Sequence, residues 1–259
     1  RDGVRLSTEI IFPDGDDGDN FPVVLVRTPY HIDDISIPWF SAMYTHWLRK
    51  GYVLVFQSER GTNWSEGTYD EFLPGAKQDG YDTVDWIVKQ PWSNGNVGTF
   101  GCSSSAEHQL GLATQGHPAH KAMIPIATAA AIGQVGPFYE QGNFYRGGVR
   151  QTNLWGWYYG FGNKNRPRIP ENLSIEERIR FFKRYKQTSD LTKYLEVDFY
   201  KAFQHLPLSD IRGNINSPSS PLDQYLELSP NDSKWEISNL VGEGSQIKVP
   251  SLWVHSWYD

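Results

Sequence analysis

A chain of 259 residues is long enough to bury a substantial core, and 39 % apolar with 21 % charged residues is typical of a folded protein. The formal net charge of -6, without a run of Lys or Arg, argues against a nucleic-acid-binding surface. No apolar stretch is long enough to span a bilayer, and no Cys/His cluster or phosphate-binding glycine loop indicates a metal or nucleotide. We therefore expect a soluble protein without cofactor, metal or nucleic-acid partner, whose compartment (cytoplasmic or exported) and oligomeric state stay open.

Strand and helix patterns alternate through the first half of the chain. Alternating apolar residues indicate an outer strand, and continuous β-branched runs indicate strands covered on both faces. We expect strands at 6–12, 22–27, 52–57, 97–101 and 121–127, and helices at 41–50, 80–90 and from 103 to about 115. This alternation predicts an α/β fold with a doubly wound, mostly parallel sheet.

The sequence pattern changes near residue 129. Aromatic residues and glycines crowd between Phe138 and Gly162, a charged segment with helical character covers 175–186, and strand-like sequence returns only at 247–255. This predicts an inserted, largely helical cap at 129–245 between two parts of one core, 1–128 and 246–259. Because the chain starts without Met and stops directly after a strand-like run, we expect it to be a fragment.

A run of small residues, Gly101-Cys102-Ser103-Ser104-Ser105-Ala106, lies where the third buried strand passes into a helix. A sharp strand-to-helix turn of this kind presents a serine hydroxyl as a nucleophile, and its neighbours must be small. The diagnostic motif has Gly two residues after the serine, where this chain has Ser105. The same residues also fit an ordinary turn with a serine helix cap, so both interpretations stay open on this segment alone.

Six further blocks accompany this run, in one order, from end to end of the chain. They are Arg1–Leu6, Arg27–Tyr30, Arg60-Gly61 with Ser65–Gly67, Asp79–Ile87, Asn94–Gly98 and Trp257–Asp259. Together they resemble the CocE/NonD family, X-Pro dipeptidyl-peptidase-like serine hydrolases of the α/β-hydrolase superfamily. The resemblance implies the α/β-hydrolase fold and a carboxy-terminal jelly-roll domain that this chain does not contain.

The resemblance also implies the site. Ser103 becomes the nucleophile, the Tyr30 hydroxyl and the Ser104 backbone N–H become the oxyanion donors, and Asp259 becomes the triad acid. The family has Tyr after the serine and Gly three places after it, where this chain has Ser104 and Ala106. The backbone N–H of Ser104 can still serve, because that contact does not involve the side chain. Each of these two roles has an alternative: the Tyr30 ring could merely pack under the cap, and Asp259 could be a surface carboxylate.

The catalytic histidine is missing from this picture. In α/β-hydrolases the chain order is Ser, acid, His, so the base is expected beyond Asp259. None of the seven histidines fits well, and His255, on the strand before Asp259, is the one alternative that lies nearby. We therefore predict that residues 1–259 bind a substrate better than they turn it over.

These residues predict a serine hydrolase that cleaves a small carboxylic ester or amide through an acyl-enzyme on Ser103, without a cofactor. An X-Pro dipeptidyl-peptidase and a non-catalytic α/β-hydrolase-fold binding protein are the alternatives. Aromatic residues in the predicted cap could line a pocket or simply pack, and Glu140 and Arg146 could bind a charged substrate group or face solvent. The aromatic residues are Trp155, Trp157, Tyr158, Tyr159 and Phe161.

Overall fold

A computed structural model describes residues 2–14, 20–30, 38–67, 74–128, 132–135, 138–141, 144–146, 148–151, 174–176, 199–214, 225, 227–230, 232–236, 241 and 244–256. The core strands are β1 (Thr8–Ile11), β2 (Phe21–Thr28), β3 (Val53–Ser58), β4 (Ser93–Cys102) and β5 (His120–Ile126). The helices between them are α1 (Pro38–Arg49), α2 (Pro74–Ile87) and α3 (Ser104–Thr114). The predicted alternation of strands and helices is therefore confirmed.

The five strands form one mixed sheet in the order β1-β3-β2-β4-β5. Strand β1 pairs antiparallel with β3, and the other neighbours pair parallel. Parallel bridges from Met123 to Ser251 and from Ile126 to Val254 bring segment 251–254 back beside β5. The carboxyl ends of β2, β3, β4 and β5 therefore meet along one edge of the sheet, which is where open α/β sheets bind ligands.

The hydrophobic core covers both faces of the sheet. On β2, Val23 and Leu25 face one side with α2 and α3, and Val24 and Val26 face the other side with α1. All four side chains are almost completely buried. The two-sided burial explains why residues 21–26 of β2 form a continuous apolar run rather than an alternating one.

Helix α2 starts at Pro74, six residues before the predicted start at Gly80. Proline suits the first position of a helix, where its missing N–H has no partner to lose. Gly80 instead lies inside the helix, where an added Cβ would stand 3.2 Å from Arg27 Nη1 and 3.3 Å from Leu112 Cβ. The glycine marks a close approach between elements and not a helix end.

Two small antiparallel sheets occur within the predicted cap: β6 (Ile132–Val135) with β7 (Phe138–Gln141), and β8 (Tyr145–Arg146) with β9 (Val149–Arg150). Two short helices follow, α4 (Phe199–Phe203) and α5 (Ile211–Asn214). The predicted aromatic residues 155–161 and all but two residues of the predicted helix 175–186 lie outside the described residues. The side chains of Glu140 and Arg146 are likewise not described. The division into core and cap remains a prediction.

Three other aromatic side chains form a small core in this part of the chain. Trp235 is fully buried, and its ring lies 5.1 Å from the ring of Phe144 and 5.6 Å from that of Tyr225, measured between centroids. The Trp235 indole N–H donates to the Ser229 carbonyl at 2.8 Å. This part of the chain therefore buries aromatic surface of its own. In the ranges given above, no helix is both long and apolar enough to cross a membrane.

The first residue of β5, His120, should make the stability of the protein depend on pH. Its side chain is buried, and burial lowers its pKa from 6.5 to about 4. The unfolded chain therefore binds this proton more readily than the folded protein does. The contribution of neutral His120 to the free energy of unfolding is therefore fully present above about pH 6.5, and it is lost as the pH falls toward 4.

We expect wild-type protein to lose about 2–3 kcal/mol of unfolding free energy between pH 7 and pH 4.5 through His120 alone. Urea unfolding of wild type and His120→Gln at both pH values measures it, because the variant lacks this contribution. His205→Gln, at an exposed position, is the matched control. An equal loss in wild type and His120→Gln would contradict the assignment.

Candidate active site

Ser103 occupies the turn between β4 and α3 in an unusual backbone conformation. Its φ is 59° and its ψ is -128°, a positive-φ region that non-glycine residues seldom adopt. The residue is exposed, whereas Ser104 and Ser105 beside it are 3 % and 5 % exposed. Its side chain makes no capping hydrogen bond to the helix. A capping serine would have extended dihedrals and accept such a bond, so the helix-cap interpretation is wrong.

Backbone hydrogen bonds hold Ser103 in this conformation. Its N–H donates to the Ile126 carbonyl on β5 at 2.9 Å. Its own carbonyl accepts from the N–H groups of Ala106 at 2.8 Å and Glu107 at 3.1 Å. A strained residue of this kind costs on the order of 1–3 kcal/mol and persists only where its surroundings fix it. Hydrogen bonds to β5 and to α3 therefore hold the Ser103 backbone, from which the exposed side chain projects.

Gly101 leaves the space that the turn requires. A Cβ added at this position would lie 2.6 Å from Ser105 Cβ and 3.2 Å from the Ser105 carbonyl oxygen. Gly101 and Ser105 therefore approach each other so closely that only one of them can carry a Cβ. Because Gly101 supplies no Cβ, Ser105 fits where the diagnostic motif has glycine. This departure from the motif does not prevent the turn.

Tyr30 lies on the same edge of the sheet as Ser103. It is the second residue after β2, and Ser103 is the first residue after β4. The two strands are parallel neighbours, with Val23 opposite Val97, so their carboxyl ends are adjacent. Tyr30 is half-buried, and its backbone N–H donates to Thr28 Oγ1 at 3.1 Å. The structure therefore places the predicted oxyanion residues Tyr30 and Ser104 after neighbouring strands.

Asn63 supports the Tyr30 turn, and the sequence did not single it out. Its Nδ2 donates to the Tyr30 carbonyl at 3.0 Å and lies 3.2 Å from Ser58 Oγ. It has a φ of 48°, a left-handed conformation that Asn tolerates better than most residues. The sequence points to this residue only through its position, between Arg60-Gly61 and Ser65–Gly67. Asn63 therefore supports the backbone at Tyr30.

Asp259 lies outside the described residues, but the segment that leads to it is described. The Val254 N–H donates to the Pro125 carbonyl at 3.1 Å, and the Val254 carbonyl accepts from the Ala127 N–H at 2.9 Å. Since segment 251–254 runs parallel to β5, the chain leaves the sheet at the edge that carries Ser103. The role of Asp259 remains a prediction that this path supports.

The described histidines are spread over the molecule. His117 and His120 lie at the amino end of β5, on the opposite edge of the sheet from Ser103. His46 and His205 are exposed on or next to α1 and α4. His255 follows segment 251–254, and its ring stacks on Trp253 with centroids 6.2 Å apart. His31 lies outside the described residues. The expectation of a base beyond Asp259 is neither confirmed nor contradicted by these positions.

His108 belongs to a buried polar cluster beneath the site. Its Nε2 lies 2.6 Å from Glu59 Oε1, and both side chains are almost completely buried. Beside them, Arg60 binds Asp79 through two hydrogen bonds of 2.6 Å. Arg27 Nη2 stands 3.9 Å from Asp79 Oδ2. The cluster joins the ends of β2 and β3 to α2 and α3.

The charges of this cluster act on one another. The hydrogen bonds to Asp79 raise the pKa of Arg60, while burial lowers the pKa of Arg27. A bidentate guanidinium–carboxylate pair is also directional, so it fixes the loop after β3 to α2. Across the part of the chain that the structure describes, no group of three or more His, Cys, Asp or Glu side chains could hold a metal ion.

The mostly parallel sheet with helices on both faces and the exposed serine in a strained strand-to-helix turn define an α/β-hydrolase fold. A family model described as X-Pro dipeptidyl-peptidase (S15 family) matches residues 2–259, and the chain belongs to this family. It is 31 % identical over 268 residues to the cocaine esterase of Rhodococcus sp. (strain MB1 Bresler), covering 100 % of this chain and 42 % of that protein. The resemblance to CocE/NonD hydrolases is thus confirmed.

Two solved structures have the same fold. One is an aminopeptidase from the marine sediment archaeon Thaumarchaeota archaeon, with a TM-score of 0.65 and 25 % identity over 98 % of this chain and 41 % of that one. The other is an α-amino acid ester hydrolase, with a TM-score of 0.63 and 24 % identity over 98 % and 41 %. The chain therefore spans about two fifths of the length of these relatives.

Proposed function

We propose that this chain is the α/β-hydrolase core of a serine hydrolase that cleaves a small carboxylic ester or amide through an acyl-enzyme on Ser103. The observation that carries the proposal is the exposed Ser103, held at a φ of 59° with a side chain that caps nothing. A structural serine gains nothing from this strain, whereas a nucleophile must project from its turn.

The reaction follows from the roles proposed for the site. Ser103 Oγ attacks the carbonyl carbon, the C–O or C–N bond to the leaving group breaks, and the acyl group remains on Oγ. The proton of Oγ passes to a histidine base and then to the leaving group. Water next adds to the acyl-enzyme and releases the acid. The Ser104 N–H and the Tyr30 hydroxyl stabilise the negative oxygen at each addition step.

Asp259 is the proposed partner of the base, which it orients and whose positive charge it stabilises. We place the base beyond Asp259 in the natural protein, in keeping with the chain order Ser, acid, His. The proposed cap, 129–245, is inserted in the sequence between the two parts of the core, 1–128 and 246–259, and we propose that it covers the substrate. No step of this reaction requires a metal or a cofactor.

Two alternatives remain. The family description favours an X-Pro dipeptidyl-peptidase, while the name of the cocaine esterase given above favours an ester substrate. Both use the same acyl-enzyme and differ in the leaving group and in the pocket that receives the acyl part. A non-catalytic binding protein is the alternative of another class, in which the strained Ser103 would have no chemical use.

Fluorophosphonate labelling of the natural protein that contains these residues tests the proposal. We expect one adduct, located on Ser103 by fragmentation of the labelled peptide. Turnover of short acyl esters and of Xaa-Pro amides is then measured side by side, and we expect the esters to react faster. Faster turnover of the amides would favour the peptidase. Absence of an adduct together with absence of turnover would favour the binding protein.

A further inference from the structure

Gln109 is a buried residue of α3 that the proposed reaction does not use. Its side chain is 4 % exposed, yet both ends of its amide are hydrogen-bonded. The amide makes five contacts of 3.1–3.3 Å with β4, β5 and α3. They are Oε1 with Ile124 N–H and Thr99 Oγ1, and Nε2 with the carbonyls of Gly101, Ser105 and Ile124. One side chain therefore binds the three elements that surround the nucleophile.

Two of the acceptors lie on either side of Ser103. The amide Nε2 donates to the Gly101 carbonyl at 3.2 Å and to the Ser105 carbonyl at 3.3 Å. These residues are also the pair whose close approach requires glycine at 101. A single NH₂ group thus bridges the entrance and the exit of the turn, and it opposes any separation of β4 from the first turn of α3.

The other contacts fix β5 to the same turn. Both backbone polar groups of Ile124 bond to the Gln109 amide, as they would to a residue of a neighbouring strand. Two residues further on, the Ile126 carbonyl accepts the Ser103 N–H. The position of β5 therefore determines where the Ser103 backbone sits, and Gln109 holds β5.

The backbone partners fix the orientation of the amide, because the Ile124 N–H can only donate and the three carbonyls can only accept. Thr99 Oγ1 lies 3.2 Å from Gln109 Oε1 and 2.9 Å from His120 Nε2, and both side chains are buried. Because Oε1 can only accept, the Thr99 hydroxyl donates to it and accepts from the His120 ring N–H. Oε1 consequently faces Thr99 and the Ile124 N–H, and Nε2 faces the three carbonyls.

We propose that Gln109 is a positioning residue for the nucleophile. It acts through Gly101, Ser105 and Ile124 to hold the backbone dihedrals of Ser103 and the direction of the Ser104 N–H. The inference rests on the proposed role of Ser103. It extends that role by assigning the stiffness of the turn to a side chain six positions after the serine.

The test compares Gln109→Met and Gln109→Glu with wild type in the natural protein. Methionine keeps the length and removes both polar ends, whereas glutamate keeps the acceptors and removes the donors. Gln115→Met is the matched control, since Gln115 is exposed just beyond the end of the same helix. A fluorophosphonate probe gives the maximal labelling rate and the apparent dissociation constant separately, and melting temperature reports the overall fold.

We expect Gln109→Met to lower the maximal labelling rate by about 10- to 100-fold with little change in the dissociation constant. Hydrogen exchange should become faster at the Ser103 and Ala106 amides and stay unchanged in β2 and β3. Gln115→Met should match wild type in every readout. If glutamate unfolds the protein, the methionine variant alone decides.

An unchanged labelling rate in a folded Gln109→Met would overturn the inference, as would a loss of rate with unchanged exchange at the turn. Faster exchange spread evenly over the sheet would also overturn it, because the residue would then serve general stability. If wild type itself takes no label on Ser103, the proposed function fails instead. The exchange measurements then still decide whether Gln109 holds the turn.

Discussion

Replacing Ser103 by alanine is expected to lower turnover of a short acyl ester by about 10⁴- to 10⁶-fold, because the proposed acyl intermediate forms on the Ser103 hydroxyl. The free energy of unfolding should change by less than about 1 kcal/mol, since the Ser103 side chain is exposed and makes no capping hydrogen bond. Steady-state kinetics and urea unfolding of the natural protein measure the two quantities. Loss of turnover without loss of stability separates chemistry from folding.

Ser104→Ala is the matched control, because it makes the same change one residue later. The Ser104 hydroxyl is buried and has no hydrogen-bond partner in the described part of the chain, and its backbone N–H survives the substitution. Turnover should therefore stay within a few-fold of wild type, because the proposed oxyanion donor at this position is the backbone N–H. Equal losses in Ser103→Ala and Ser104→Ala would show that the nucleophile has been assigned wrongly.

Gly101→Ala is expected to have the largest effect on the turn itself. The new Cβ would stand 2.6 Å from Ser105 Cβ, so β4 and α3 must move apart. We expect a loss of about 1–3 kcal/mol of unfolding free energy and a fall of at least about 100-fold in Ser103 labelling. Chemical unfolding and labelling rates measure the two effects.

Two further variants test whether the contact between residues 101 and 105 causes these losses. Gly98→Ala is the control on the same strand, because its new Cβ would meet nothing closer than 3.8 Å. Adding Ser105→Gly to Gly101→Ala removes the nearest clash and should restore part of the labelling rate. Recovery would be incomplete, since the Ser105 backbone remains 3.2 Å from the new Cβ. A double variant no better than Gly101→Ala would show that this contact does not limit the turn.

The strands of the fold could be predicted because burial on both faces leaves a simple mark. The predicted strands 22–27 and 52–57 are apolar up to their last residue, and they correspond to β2 and β3 within one or two residues. The apolar pattern predicts helix α2 only from Gly80, six residues after its observed start at Pro74, and Gly80 itself lies inside the helix. Only the approach of Arg27 and Leu112 explains that glycine, and both are distant in sequence.

Ser103 could be predicted, but its two interpretations could not be separated from the residues alone. What separates them is a backbone dihedral and a missing hydrogen bond, and neither is written in the composition of the turn. Asn63 and Gln109 were missed for a related reason. Each acts on a backbone group 15 or 33 residues away, which no local pattern predicts. Arg60 and Asp79 were noticed as separate motif blocks, and the structure joins them as an ion pair.

Helix α3 begins at the residue after Ser103, and its residues 104–113 are buried. Its peptide dipoles align to place a partial positive charge at that end, and burial protects this field from screening by salt. A negative oxygen forming at the turn would therefore be stabilised by the backbone N–H groups in the first turn of this helix. No side chain supplies this field, so a substitution that leaves the helix folded does not remove it. Some rate acceleration should therefore survive the loss of any single donor.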